Sequence, residues 1–323
     1  MNRTTRAIAI FIAKLVFSAS LLVFLFSRLD AGTVAEMLRT ASVPVLVLGA
    51  CWMFALTALS TAKWRLLLVE QGVSVPYLSL VRIYLVCQFI NLFMPSILGG
   101  DAYRAAKLRH HTHGIKHALP SIVVERGTGL AALALIGSIG LSFLLFRELV
   151  WLVGVLLAGT VLLGYLILVG PVLRRLRAAG SGGLHGGVGL IVLVLEAIQP
   201  SRRFSAVVLL SFMFHLGVVL LCTIYSYATH ITVSFPQLLI AVPVVYLVEI
   251  IPVSISGIGV REGTLTVLFG LMGLVPEHGL ILGLVITMMR YICMTLVGGP
   301  LLLWEMFSGG IQPDRAESRR DAA

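Results

Sequence analysis

Eight charged residues of this chain lie within or beside apolar segments: Asp101, Arg104, Glu125, Arg126, Glu249, Arg261, Glu262 and Arg290. A charge at the centre of a membrane-spanning helix costs about 2.5–3.5 kcal/mol on insertion scales, so it needs a partner or water and is a functional candidate by default. Two of the clusters share a pattern. Residues 89–108 read FINLFMPSILGGDAYRAAKL: an apolar run carrying Asn91 meets Pro95 and Gly99-Gly100, then restarts with Asp101 and Arg104. Residues 251–263 read IPVSISGIGVREG, with Pro252, Gly257 and Gly259 ahead of Arg261 and Glu262. A helix that restarts after such a break presents unpaired N–H groups and a partial positive charge, which attract an anion such as phosphate. An arginine about one turn in adds a bidentate contact. The competing reading has Asp101 capping its helix and Arg104 snorkelling to the membrane surface.

The stretch VVERGTGLAAL places Glu125 and Arg126 inside a span. Adjacent helical residues point in different directions, so each is expected to reach a neighbouring segment, Arg126 to Asp101. A purely structural ion pair is the alternative, and Arg290 carries the same two readings. Asn91 is read as a hydrogen-bonding group that pins the first break, or as a substrate contact. The run RHHTHGIKH brings together His110, His111, His113 and His117 without a carboxylate or cysteine. Beside a basic membrane face it suits lipid headgroups or solvent, and no metal site is expected. Walker A, HExxH, GxSxG and Rossmann patterns are absent, so no cofactor is expected.

The elements that must position these residues follow from composition. Of 323 residues, 59% are hydrophobic and 12% charged, against roughly 25% charged in soluble domains. The fold class is an all-α polytopic membrane protein. The net charge of +10 reflects the Lys and Arg of cytoplasmic loops, with no nucleic-acid partner. Cys51, Cys87, Cys222 and Cys293 sit in apolar runs and read as packing residues.

Six full spans are expected at Ile8–Phe26, Val43–Leu59, Ala118–Phe146, Val150–Val169, Phe204–Ala228 and Leu280–Met306. Tyr77–Met94 and Leu238–Ile251 end in the two breaks, and the run Thr264–Leu274 is too short for a core of ~30 Å at ~1.5 Å per residue. Read as re-entrant helical hairpins over 77–116 and 237–275, these segments leave the Lys and Arg clusters, Lys63 and Arg65 among them, on one side at the membrane surface, as the positive-inside rule requires. Both termini then face the cytoplasm, in the cytoplasmic (inner) membrane. Pro95, Gly100 and Arg104 recur as Pro252, Gly257 and Arg261 at one constant offset. The chain thus divides into an N-terminal half (1–171), a basic Gly-rich linker with an interfacial helix (172–203), a C-terminal half (204–307) and a polar tail (308–323). A single connecting span inverts the second half relative to the first, an arrangement that points to a transport site at the broken helices.

The elements Asn91, Pro95, Gly99-Gly100-Asp101 and Arg104, then Glu125-Arg126, then Pro252, Gly257, Gly259 and Arg261-Glu262, resemble the membrane domain of the lysylphosphatidylglycerol synthase/flippase family and its stand-alone relatives. The resemblance runs from the first span to Trp304. It implies movement of a phosphate-bearing lipid between leaflets. The synthase domain of the bifunctional members is not expected here, so the resemblance does not imply a lysyl-lipid substrate. In this reading Arg104 and Arg261 bind phosphate. Asp101, Glu125 and Glu262 pair with them in the empty site or meet a cationic headgroup. The alternative is a membrane-embedded transferase using Asp101, Glu125 and Glu262 for acid–base chemistry; a third reading is a transporter of small soluble anions. Candidates spread over both halves favour translocation. The expected partners are membrane lipids with anionic or phosphate headgroups, with a lipid-modifying enzyme and a second copy of the chain as further candidates.

Overall fold

The computed structural model describes residues 39–94, 98–108, 115–145, 202–251 and 253–307, with a few positions ahead of these. Outside the described residues lie Pro95, Pro252, the histidines at 110, 111 and 113, the side chain of His117, nearly all of the expected span Ile8–Phe26, the span Val150–Val169, linker residues 172–201 and the tail 308–323.

Among the described residues the regular elements are all helical. They are α1 (Val43–Glu70), α2 (Tyr77–Phe93), α3 (Leu98–Leu108), α4 (Ile115–Leu145), α5 (Arg202–Ala228), α6 (Phe235–Glu249), α7 (Val260–Leu271) and α8 (Pro276–Phe307). Four stretches are long and apolar enough to cross a membrane: Val43–Glu70, Ser121–Phe143, Arg203–Ala228 and Pro276–Phe307. The protein is therefore an all-helical, membrane-embedded one. The order long, short, short, long occurs twice along the chain.

The second expected span, Val43–Leu59, runs on to Glu70 as α1. In its polar continuation the Thr57 and Thr61 hydroxyls donate to the carbonyls of Met53 and Thr57, at 3.0 and 2.9 Å. Such back-bonding satisfies a hydroxyl inside a helix. The helix stops at Gly72, whose φ of 76° suits the left-handed turn after a helix end. The Val73 N–H returns to the Leu68 carbonyl at 2.9 Å.

The two halves interlock. α1 lies along α5, α6 packs on α4, and α2 packs on α8, so each half's first short helix leans on the other half's last long one. Small residues make these approaches close, as van der Waals packing between helices in lipid requires. A Cβ on Gly140 of α4 would stand 2.8 Å from Leu239 of α6, and one on Gly298 of α8 would stand 2.6 Å from Phe89 of α2. Leu56, Val219, Cys222, Leu238, Val242 and Ile281 belong to the largest buried cluster, where α1, α5, α6 and α8 meet.

Each short pair folds back on itself. In the first, Gly100 of α3 sits against Cys87 of α2, and Arg104 one turn on lies over Tyr84. The two helices therefore run antiparallel.

Candidate functional site

The first break is closed by side chains. α3 begins at Leu98, ahead of both glycines, instead of near Asp101 as the sequence suggests. Asn91 accepts the Gly100 N–H at 2.9 Å and donates to the Cys87 sulfur at 3.7 Å, which satisfies a helix-start donor and ties α3 to α2. Gly100 is needed for space: a Cβ there would lie 2.6 Å from the Cys87 carbonyl oxygen.

Arg104 is only 1% exposed. Its guanidinium packs against the edge-to-face rings of Trp64 and Tyr84, 4.1 and 4.7 Å from their centroids. Nη2 donates to Glu125 Oε2, and Nη1 reaches Asp101 Oδ1 at 3.4 Å. It does not snorkel. The other Glu125 oxygen accepts the Tyr84 hydroxyl at 3.1 Å and faces Lys63 Nζ at 3.9 Å. Arg126 reaches Asp101 at 3.1 Å, the pairing its position on α4 suggests, while 47% of its side chain stays exposed. Three cations, Lys63, Arg104 and Arg126, thus surround two carboxylates, Asp101 and Glu125. Arg104 Nε has no hydrogen-bond partner among the described residues.

The second break is built from backbone. Gly257 and Gly259 both have φ of 82°, a region costly for residues with a Cβ. α7 starts after them, at Val260. Arg261, also buried, reaches Glu249 Oε1 at 2.7 Å and donates to the Thr287 hydroxyl at 2.8 Å. Thr287 in turn donates to Glu262 Oε1 at 2.6 Å, and Glu262 Oε2 accepts the Gly259 N–H at 2.6 Å. Glu262 therefore does not pair with Arg261, contrary to the sequence-based expectation. It caps its own helix and orients Thr287, because a carboxylate three residues beyond a helix start reaches back to the free N–H there.

Arg290 of α8 lies within electrostatic range of Arg261, Glu249, Tyr246 and Tyr291. Among the described residues it forms no ion pair and donates no hydrogen bond. The neighbouring Tyr291 donates to the Leu92 carbonyl at 2.8 Å, joining the end of α2 to the second network.

Sequence reasoning left out Lys63, assigned to a surface cluster, and Glu249, noted as charged but given no role. It also missed Trp64, Tyr84 and Thr287. Only Glu249 carried a sequence signal, an isolated acid ending an apolar run. Two further groups lie outside both networks. His215 Nδ1 donates to the Ser211 carbonyl at 2.8 Å, and its ring meets the Tyr246 ring edge-on at 6.3 Å. At the end of α8, Glu305 accepts the Tyr103 hydroxyl at 2.5 Å and pairs with Lys107 at 2.7 Å.

Each network gathers arginines and carboxylates inside an apolar assembly. A family model described as the lysylphosphatidylglycerol synthase TM region matches residues 11–298. No curated protein and no solved structure matches the chain.

Proposed function

We propose that this chain, which belongs to the lysylphosphatidylglycerol synthase TM-region family, moves a phosphate-bearing lipid between the leaflets of the cytoplasmic membrane. One observation carries the reading: a buried arginine stands just beyond each break, held by a carboxylate, in each of two like-ordered sets of helices. Two ionic centres of this kind suit a substrate handed between two half-sites, as in inverted-repeat transporters with broken helices. In this proposal α2–α3 and α6–α7 are re-entrant hairpins from opposite faces, both termini are cytoplasmic, and the acyl chains stay in the bilayer while the headgroup uses the polar networks. Asn91 and the glycines of the breaks fix where α3 and α7 lie, and with them the two ionic networks. The partners are lipids with anionic headgroups; a lipid-modifying enzyme and a second copy of the chain are the further ones to test.

The experiment is leaflet exchange in proteoliposomes, with head-labelled phosphatidylglycerol, an aminoacylated form and a polyprenyl phosphate, each followed by mass spectrometry. Exchange above protein-free vesicles with unchanged lipid masses is expected. A new lipid mass without exchange would establish a membrane-embedded transferase instead. Folded protein that neither moves nor modifies a lipid would overturn the proposal.

A further inference from the structure

We infer, building on the translocase reading, that the group receiving the headgroup at each break is not the arginine of the repeated motif. It is Arg126 at the first break and Arg290 at the second; Arg104 and Arg261 are positioning residues.

The motif arginines are already engaged. Both terminal nitrogens of Arg104 are taken by Glu125 and Asp101, and the edge-to-face rings of Trp64 and Tyr84 stand beside its guanidinium, leaving it 1% exposed. A phosphate would have to displace two carboxylates to reach those nitrogens. Arg261 spends one nitrogen on Glu249 and the other on Thr287. Buried pairs of this kind lose heavily when one partner is withdrawn.

The other two arginines are differently placed. Arg126 is half exposed, and its described carboxylate, Asp101, is shared with Arg104. Arg290 is partly buried on α8 one turn beyond Thr287, the hydroxyl that joins Arg261 and Glu262, and it has no ion pair or hydrogen bond of its own among the described residues. Charge points the same way. The first network holds one cation more than its carboxylates, so a singly charged headgroup brings it to neutrality. In the second, two arginines face two carboxylates, but Glu262 is committed to the Gly259 N–H and Thr287 and Glu249 to Arg261, so no described carboxylate lies within ion-pair distance of Arg290. The motif arginines then have a distinct task. By holding Glu125 and Glu249 they keep those carboxylates from neutralising the receiving arginine.

The test uses the purified full chain, with dioleoyl phosphatidylglycerol and, separately, inorganic phosphate as probes. Dissociation constants are read by native mass spectrometry and the melting temperature is recorded for every variant. Arg126→Gln and Arg290→Gln are each expected to weaken phosphatidylglycerol binding about tenfold, the scale of one charge-assisted contact. Arg126→Lys and Arg290→Lys restore most of it, because an open anion site needs a charge more than a fork. Arg104→Lys and Arg261→Lys instead lower the melting temperature, since a lysine reproduces neither the ring contacts nor the two-nitrogen contact. Wild-type affinity in both Gln variants would overturn the assignment, as would loss of binding in Arg104→Lys at an unchanged melting temperature. Binding of phosphate that depends on Arg126 and Arg290, with no binding of the lipid, would keep the residue assignment and sink the lipid reading. A wild-type protein that binds neither probe would sink both.

Discussion

Each break is followed by a buried arginine, Arg104 well inside α3 (Leu98–Leu108) and Arg261 in the first turn of α7 (Val260–Leu271), and the two surroundings are built by different means. At the first, the backbone stays helical through Gly99 and Gly100, and the ordering comes from side chains: Asn91 on the Gly100 N–H, two aromatic rings against Arg104, and Glu125 from α4. At the second, two glycines at positive φ shape the turn, and the carboxylate on Arg261 is Glu249, from the end of the same short pair. The first network is thus held by tertiary contacts among α1, α2, α3 and α4. The second is largely local, tied outward by Thr287. α7 also packs far more extensively along α8 than α3 does along α4. A charged site inside lipid can therefore be stabilised by surrounding a side chain or by bending a backbone, and these solutions fail in different ways.

The sharpest way to break the comparison is to remove the carboxylates. Glu125→Ala leaves Arg104 and Lys63 buried without their shared counter-ion, and breaking a buried pair this way costs about 3–5 kcal/mol. Glu249→Ala is expected to cost less, because it strips one buried cation, Arg261, which keeps Thr287, whereas Glu125→Ala strips Lys63 and leaves Arg104 only its longer contact with Asp101. Thermal unfolding of both variants in detergent checks the order; an equal or reversed effect would mean the first network is not the more tightly held. Next in size come the glycines. Gly100→Ala forces a Cβ to 2.6 Å from the Cys87 carbonyl, an overpacking worth about 1–3 kcal/mol that separates α3 from α2. Gly257→Ala meets a flexible Glu249 carboxylate at 2.8 Å and pays mainly the left-handed backbone cost of about 1–2 kcal/mol. A cysteine cross-link between α2 and α3 should therefore slow in Gly100→Ala and not in Gly257→Ala.

How much of this was legible in the sequence divides along the same line. Apolar runs and breakers mark the short and long helices, because propensity and hydropathy are local properties. The pairing of Arg126 with Asp101 could be anticipated, since one residue projects from a long helix and the other stands at a break. Glu249 could not be assigned to Arg261 with Glu262 adjacent in sequence. What decides is that Glu262 lies where it reaches back to the Gly259 N–H, a competition between two hydrogen bonds that only coordinates resolve. Lys63 was misplaced because the hydropathy run ends at Leu59 while the helix, with its threonines back-bonded, continues to Glu70. The rings on Arg104 come from two other helices, so no spacing along the chain announces them.

The smallest expected effect tests whether the second network is as local as described. Thr287 is the one described residue of α8 that touches both members of the Arg261-Glu262 pair, accepting from the first and donating to the second. Thr287→Val keeps the shape and removes both bonds, an expected loss of roughly 1.5 kcal/mol, the lower end for hydrogen bonds to charged groups. Thr287→Ser keeps the hydroxyl and should stay near wild type. If the network is local, α7 remains docked in Thr287→Val, because Glu262 still caps its helix and Arg261 still holds Glu249; hydrogen exchange would then rise only around residues 257–262. Exchange rising along the whole of α7 would mean that Thr287, and not the packing of α7 on α8, holds the second break in place. The two halves would then differ less than their backbones suggest, each depending on a side chain reached from a distant helix.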